Sequence, residues 1–178
     1  MIAIVILMVG ILSLVAVFAT AVASTQNAQE NLIARQKAEE AMESIFTARN
    51  TQQITFAEIA NISNGGIFTD GATPLLSAGP DGLVNTADDV PFPANGVCPT
   101  GPECITLPGP DGILGTADDV PMSLANFTRQ IQINSVLEDD LVTINPNLKQ
   151  ITITVVYVTG GSPAPHSYSV NALISAFR

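Results

Sequence analysis

Two acidic loops of nearly identical sequence are the part of this chain best suited to chemistry. Residues 79–91 read GPDGLVNTADDVP and residues 109–121 read GPDGILGTADDVP, so ten of thirteen positions agree at an offset of 30 residues. Each copy has one Asp in a Pro-Asp-Gly turn and, seven residues later, two adjacent Asp. Carboxylates gathered in a short loop repel one another unless a cation neutralises them, and calcium takes six to eight such oxygens.

The repeat therefore predicts calcium ligands in both loops, and we expect one or two bound Ca²⁺ ions. The predicted ligands are Asp81, Asp88 and Asp89 in the first loop and Asp111, Asp118 and Asp119 in the second. The loop threonines and the carbonyls of residues 85 and 115 are further oxygen donors. The second loop looks better formed, because Gly115 stands where the first loop has Asn85.

Other interpretations of the loops fit the residues less well. Magnesium demands a strict octahedron that a protein loop rarely supplies, and the spacing is not that of an EF-hand. The remaining alternative is a pair of Asp-Gly turns, each followed by a solvated acidic pair.

Composition excludes some classes of function. The chain has 178 residues, a formal net charge of −10 and only six Lys and Arg, which are scattered. This argues against nucleic acid as a partner, since phosphate binding needs clustered basic residues. We do not expect an enzyme, because the single histidine, His166, lies in a Pro-rich segment predicted to be a solvated turn and no nucleophile has a spaced His partner.

The two cysteines, Cys98 and Cys104, lie in the turn-rich segment VCPTGPEC. In an exported acidic protein such a pair favours a disulfide that closes a short loop. The spacing does not fit a CxxC redox pair, and a zinc site would need more ligands than this segment offers.

The N-terminal segment predicts a helix that enters a membrane. Residues 1–24 contain no charged side chain and no proline. An apolar helix of this length is long enough to cross a bilayer. The helical pattern continues to about Asn50, giving a rod of about 75 Å. A cleavable signal ending near Ala21-Val22-Ala23 is the alternative, but no basic residue precedes the run and the run is too long for a signal core.

The whole pattern predicts an α+β fold in four parts. Residues 1–24 form an apolar transmembrane or filament-core helix, and 25–50 continue it with an apolar stripe that packs on the chain's own domain. Residues 51–126 are a loop-rich region with both acidic repeats. Residues 127–178 form an antiparallel sheet of three strands over 127–136, 149–159 and 167–177, where β-branched residues alternate.

The segment MIAIVILMVGILSLVAVFATAVAS resembles the N-terminal helix of type IV pilins and pseudopilins, especially minor pilins whose helix reads MIAMVILMVG. The layout of long helix, variable loops and C-terminal sheet is similar along the whole chain. The loop GPDGILGTADDV also resembles the calcium loop of the major pseudopilin of type II secretion, and this resemblance implies metal ligands on the same three Asp of each copy.

One feature departs from that family. Its mature chains usually begin with Phe and carry a Glu a few residues in, which pairs with a neighbour's terminal amine during assembly. Here the fifth residue is Val5 and no acid precedes Glu30. We expect a short stretch to precede Met1 in the mature chain, so the role of that glutamate is assigned to no residue here.

The resemblance implies a structural subunit of an extracellular filament. The subunit would be anchored in the bacterial inner membrane before assembly and would then polymerise with copies of itself. The expected filament-core residues are Ile2, Ile4, Val5, Ile6, Leu7, Val9, Ile11, Leu12, Leu14, Val15, Val17 and Phe18. The alternatives are a pseudopilin of a type II secretion system and a membrane-anchored calcium-binding module that never polymerises.

Overall fold

The computed structural model describes residues 2–94, 98–138, 142–159 and 164–177, apart from the side chains of Ile2 and Val5. It confirms the α+β fold, with one long N-terminal helix and a C-terminal antiparallel sheet. The elements are α1 (Ile2–Asn50), a 3₁₀ turn (Ile62–Asn64), β1 (Ala72–Pro74), β2 (Cys104–Leu107), β3 (Val120–Ser123), β4 (Phe127–Leu137), β5 (Ile144–Val158) and β6 (Pro165–Ser175).

The second half of α1 packs on the sheet, as its apolar stripe predicts. The stripe lies against β5 and β6, and small alanines let the helix approach the strands closely. Its buried residues are Ile33, Ala34, Ala38, Ala41, Met42, Ile45 and Ala48.

The first half of α1 has no cover from the rest of the described chain. It is long and apolar enough to cross a membrane, and its most apolar 18-residue window is 0% buried. Of the twelve expected filament-core residues, Ile2 and Val5 have side chains outside the described residues. The other ten are 57–68% exposed: Ile4, Ile6, Leu7, Val9, Ile11, Leu12, Leu14, Val15, Val17 and Phe18.

The predicted three-stranded sheet has a fourth strand. The strands follow the order β1-β4-β5-β6, and the short edge strand β1, in a segment expected to be loop, pairs antiparallel with β4. β5 begins at Ile144, earlier than the predicted start at residue 149. It therefore includes Asn145-Pro146-Asn147, a sequence that is typical of turns. A register shift between Ser135 and Leu137 of β4 accommodates this segment, since a bulge tolerates proline in a ladder.

Alternation along the strands builds the core. The inward residues of β4 and β5 belong to the same buried core cluster as the apolar stripe of α1, and they include Phe127, Ile131, Ile133, Ile151, Ile153, Val155 and Tyr157. The ring of Tyr157 stacks on Phe127 at a centroid distance of 5.3 Å. His166, expected in a solvated turn, instead lies in β6 and stacks on Tyr157 at 5.5 Å, so that expectation is wrong.

The middle region is more ordered than its composition indicates, because β2 and β3 form a hairpin. The second acidic loop is the connection of this hairpin. The predicted disulfide between Cys98 and Cys104 is confirmed, with a Cα–Cα distance of 6.1 Å, and it ends at the first residue of β2.

We expect Ile45→Ala to lower the free energy of unfolding of the globular part by about 2–5 kcal/mol. The Ile45 side chain is fully buried, so its truncation leaves a cavity in the core. The matched control, Ile11→Ala, removes the same atoms from an exposed position and should leave this free energy unchanged. Urea denaturation of the full chain in mild detergent, followed by circular dichroism, measures both. Equal effects of the two substitutions would contradict the division of α1 into a packed and an uncovered half.

Candidate metal centre

The second acidic loop begins with a tight turn. The N–H of Gly112 donates to the carbonyl of Gly109 at 3.0 Å, and Gly112 has a φ of +71°, a conformation that glycine adopts without strain. The Asp111 carboxylate accepts a hydrogen bond from the Ile113 N–H at 2.8 Å. This carboxylate therefore caps the turn.

The first loop forms the same turn from the equivalent residues. The N–H of Gly82 donates to the carbonyl of Gly79 at 3.0 Å, and the Asp81 carboxylate accepts from the Leu83 N–H at 2.8 Å. The φ of Gly82 is +70°. The repeat in sequence is thus also a repeat in conformation.

The paired Asp residues fold back onto their own loop. In the second loop Asp118 accepts from the Thr116 hydroxyl at 2.6 Å and from the Asp111 N–H at 3.3 Å, and Asp119 accepts from the Gly115 N–H at 2.6 Å. Two of these hydrogen bonds have counterparts in the first loop. The Thr86 hydroxyl donates to Asp88 at 2.7 Å, and the Asn85 N–H donates to Asp89 at 2.8 Å.

Hydrogen bonding and burial act on the pKa values of these acids in opposite directions. The hydrogen bond from the Thr86 hydroxyl lowers the pKa of Asp88 below its usual value. The hydrogen bond from the Thr116 hydroxyl does the same to the pKa of Asp118. Burial raises the pKa of Asp89, against hydrogen bonds from Asn85 and Thr86. The first acid of each pair is therefore held as a carboxylate.

The loop geometry requires glycine at the first position of each repeat. A Cβ on Gly109 would collide with the carboxylate and carbonyl of Asp118, and a Cβ on Gly79 would collide with the same groups of Asp88. The glycine lets the two ends of the loop approach, which brings the turn that carries Asp111 next to Asp118.

One oxygen of the second loop fits a bound cation. The Oδ1 atom of Asp119 is buried and has no hydrogen-bond partner among the residues that the structure describes. A buried carboxylate oxygen without a donor is costly, and a hard cation such as Ca²⁺ would satisfy it. In the first loop the equivalent oxygen of Asp89 accepts from the Thr86 hydroxyl at 3.1 Å.

The predicted ligands do not converge as a three-acid cluster. Among the described residues, no group of three or more His, Cys, Asp or Glu side chains is placed to hold a metal. In both loops carboxylate oxygens face the loop's own N–H and hydroxyl groups, and among the described residues the Asp81 side chain lies within hydrogen-bonding range of Asp88 and the Asp111 side chain within range of Asp118. The ligand set of Asp81, Asp88, Asp89, Asp111, Asp118 and Asp119 stays a prediction.

The two loops differ in how they are attached to the domain. The Asn85 amide donates to the Thr73 hydroxyl at 2.7 Å and to the Arg129 carbonyl at 3.1 Å, and it accepts from the Arg129 Nε at 2.6 Å. Arg129 is 1% exposed, so a buried cation of the protein lies beneath the first loop. Gly115 has no side chain to make such an anchor in the second loop.

Sequence reasoning missed Arg129, although a signal was present. Along β4, Arg129 has the same parity as Phe127, Ile131 and Ile133, all of which are buried. Strand alternation therefore places its side chain inward. A lone arginine on the core face needs a partner, and Asn85 supplies one.

No protein-family model, no curated protein and no solved structure matches this chain. The long apolar helix and the antiparallel sheet are compatible with a pilin-like fold. Inferences about function therefore rest on the geometry of the chain itself.

Exchanging Asn85 and Gly115, which occupy the same position in the two loops, should change the free energy of unfolding by unequal amounts. Asn85→Gly leaves the buried Arg129 Nε without its acceptor, and we expect a loss of about 2–3 kcal/mol in the free energy of unfolding. Gly115→Asn changes an exposed position with a φ of +91°, so it should cost about 1 kcal/mol through backbone strain but removes no buried contact. Urea denaturation of both full-length variants in detergent provides the comparison, and a larger loss at position 115 would contradict the anchoring role of Asn85.

Proposed function

We propose that this chain is a structural subunit of an extracellular filament of the type IV pilus kind, which polymerises through its N-terminal helix. The observation that carries the proposal is the contrast within α1. One continuous helix is packed against its own sheet over its second half and bears exposed apolar side chains over the described part of its first half. A helix that is apolar on every face requires apolar surroundings on every face.

The membrane supplies such surroundings before assembly, and the helices of other copies supply them afterwards. The uncovered half contains about 23 residues and is about 35 Å long, which matches the hydrocarbon thickness of a bilayer. Outside a membrane, burying this surface against other copies stabilises a polymer by an amount on the order of tens of kcal/mol per subunit relative to water. Within the bilayer the helix is already out of water, so helix packing rather than the hydrophobic effect governs contacts there.

The partners of this chain are accordingly copies of itself, and the inner membrane before assembly. The net charge of −10 keeps the globular parts soluble at the surface of the polymer and gives nucleic acid no basic patch to bind. The disulfide agrees with an oxidising location outside the cytoplasm.

Calcium is the proposed cofactor of the surface loops. Its support is the doubled loop, the closeness of the Asp111 and Asp118 side chains, and the Oδ1 of Asp119, which has no hydrogen-bond partner among the described residues. Bound Ca²⁺ would supply positive charge to a loop that holds three carboxylates and no basic side chain. Calcium sites of extracellular modules bind at about 0.1–1 mM, so such a loop is filled outside the cell.

A charge in the uncovered half of α1 should abolish filaments. Leu14→Lys places an ammonium group in the apolar helix, at a cost of about 2.5–3.5 kcal/mol for insertion alone. Leu14→Ile is the matched control and should assemble normally. Negative-stain microscopy of sheared cell-surface material counts filaments, and immunoblotting of membranes confirms that each variant is present.

The same microscopy separates the alternatives. Surface filaments that persist with Leu14→Lys would contradict the proposed filament core. A wild-type chain that forms only a lasting monomer in membranes would support the membrane-anchored module, and assembly confined to the periplasm would support a secretion pseudopilin.

Calcium should raise the melting temperature of the full chain in detergent by about 3–6 °C at ten times its dissociation constant. A chelator should reverse the shift, and magnesium at the same concentration should not reproduce it. Asp119→Asn should remove the shift, because it alters the carboxylate with the unpartnered oxygen. Asp70→Asn is the control, because it changes an exposed Asp that is hydrogen-bonded to Ser63, and it should retain the shift. The calcium site would be refuted if the wild type showed no shift, or if Asp70→Asn also lost it.

A further inference from the structure

The two acidic loops carry three Asp each but lie in different surroundings. In the first loop Leu83 and Val84 are buried in the core of the domain. In the second loop their counterparts Ile113 and Leu114 are 59% and 62% exposed. The first loop is therefore seated on the protein, and groups beneath it can act on its carboxylates.

The group beneath the first loop is a cation. Arg129 is 1% exposed, and its Nε donates to the Asn85 side chain at 2.6 Å. A guanidinium stays charged even when it is buried, so it requires carboxylates nearby. The carboxylates that interact electrostatically with Arg129 are those of Glu40, Asp89 and Glu103.

Asp89 is the carboxylate among these three that has no second cation. Lys37 bonds to Glu40 at 2.8 Å and to Glu103 at 2.6 Å. Among the described residues, no basic side chain other than Arg129 acts on Asp89. The protein itself therefore supplies positive charge to the first loop.

The oxygens that a metal ion would need in the first loop are also engaged in hydrogen bonds. Asp89 accepts from the Asn85 N–H at 2.8 Å and from the Thr86 hydroxyl at 3.1 Å, so both of its carboxylate oxygens have partners. The Asn85 carbonyl, a predicted donor to calcium, accepts from the Thr69 N–H at 2.7 Å. A metal ion at this loop would compete with these bonds and would be repelled by the buried guanidinium.

The corresponding groups of the second loop lack such partners. The Oδ1 atom of Asp119 accepts no hydrogen bond from the described residues, and no backbone N–H of the described chain donates to the Gly115 carbonyl. The five described Lys and Arg all bond to groups outside this loop: Arg35, Lys37, Arg49, Arg129 and Lys149. The described chain thus gives the three carboxylates of the second loop no cation.

We infer that the Arg129 guanidinium takes the place of a metal ion in the first loop, and that calcium binds the second loop alone. In each loop a cation then offsets the repulsion among three carboxylates. That cation belongs to the protein in the first loop and comes from solution in the second. The inference rests on the calcium site proposed above and fixes its number at one ion per chain.

The two loops would consequently respond differently to their medium. The first loop keeps its charge balance wherever the chain is, because Arg129 is part of the fold. The second loop completes its charge balance only where calcium is abundant, as it is outside the cell.

The number of bound ions tests this inference. Equilibrium dialysis of the full-length chain in mild detergent against radioactive calcium gives the ions bound per chain at saturation, and excess magnesium suppresses non-specific binding to the acidic surface. We expect one ion for the wild type and none for Asp119→Asn. The control Asp70→Asn, which changes an exposed carboxylate bonded to Ser63, should keep one ion. Circular dichroism confirms that each variant is folded.

Arg129→Gln tests whether the guanidinium is what excludes calcium from the first loop. The Gln amide can still donate to the Asn85 side chain but carries no charge, so we expect the count to rise from one ion to two. Adding Asp119→Asn to this variant should return the count to one. If Arg129→Gln does not fold, the counts for the wild type and for Asp119→Asn decide the inference.

The outcomes separate this inference from the calcium proposal. Two ions in the wild type, or one ion that persists in Asp119→Asn, would overturn the inference while the chain remains a calcium-binding protein. A folded Arg129→Gln variant that still binds one ion would overturn the role of the arginine. No bound ion in the wild type would overturn the calcium proposal itself, and this inference with it.

Discussion

The apolar surface of the first half of α1 is the constraint on which the rest of this molecule depends. The described part of the chain does not cover it, and its length and composition are sufficient to cross a membrane. The second half of the same helix is committed to the sheet through a stripe of alanines and larger apolar residues. Because the helix has no proline, the two halves are one rigid element, and whatever holds the first half also positions the domain.

The middle of the chain contributes residues such as Ile59, Phe68 and Leu75 to the core and is also stabilised by a few specific polar contacts. Lys37 bridges Glu40 and Glu103, the disulfide closes the segment before β2, and Arg129 holds Asn85. Buried ion pairs and buried amides contribute little net stability, but they fix which surfaces meet. They explain how a region rich in Gly, Pro and Asp keeps a defined shape.

Of the three positions at which the acidic repeats differ, Asn85 and Gly115 have the largest structural consequence. Asn85 anchors the first loop over a buried arginine, so its two apolar residues complete the core. Gly115 provides no anchor, so the second loop remains at the tip of a hairpin with its apolar residues exposed and, among the described residues, no partner for a buried carboxylate oxygen. The first copy is therefore part of the fold, and the second copy is the better candidate for binding a cation.

The sequence by itself determined the long N-terminal helix with its apolar first half, the three long strands and the disulfide, because periodicity, charge and turn residues act locally. It also indicated two equivalent acidic loops. Only the tertiary structure decided that β1 joins the sheet, that Asn145-Pro146-Asn147 lies within β5 and that His166 stacks on Tyr157. The unequal burial of the two loops was likewise decided there, since burial depends on contacts between residues distant in the chain, such as Asn85 with Arg129, and local sequence does not encode those contacts.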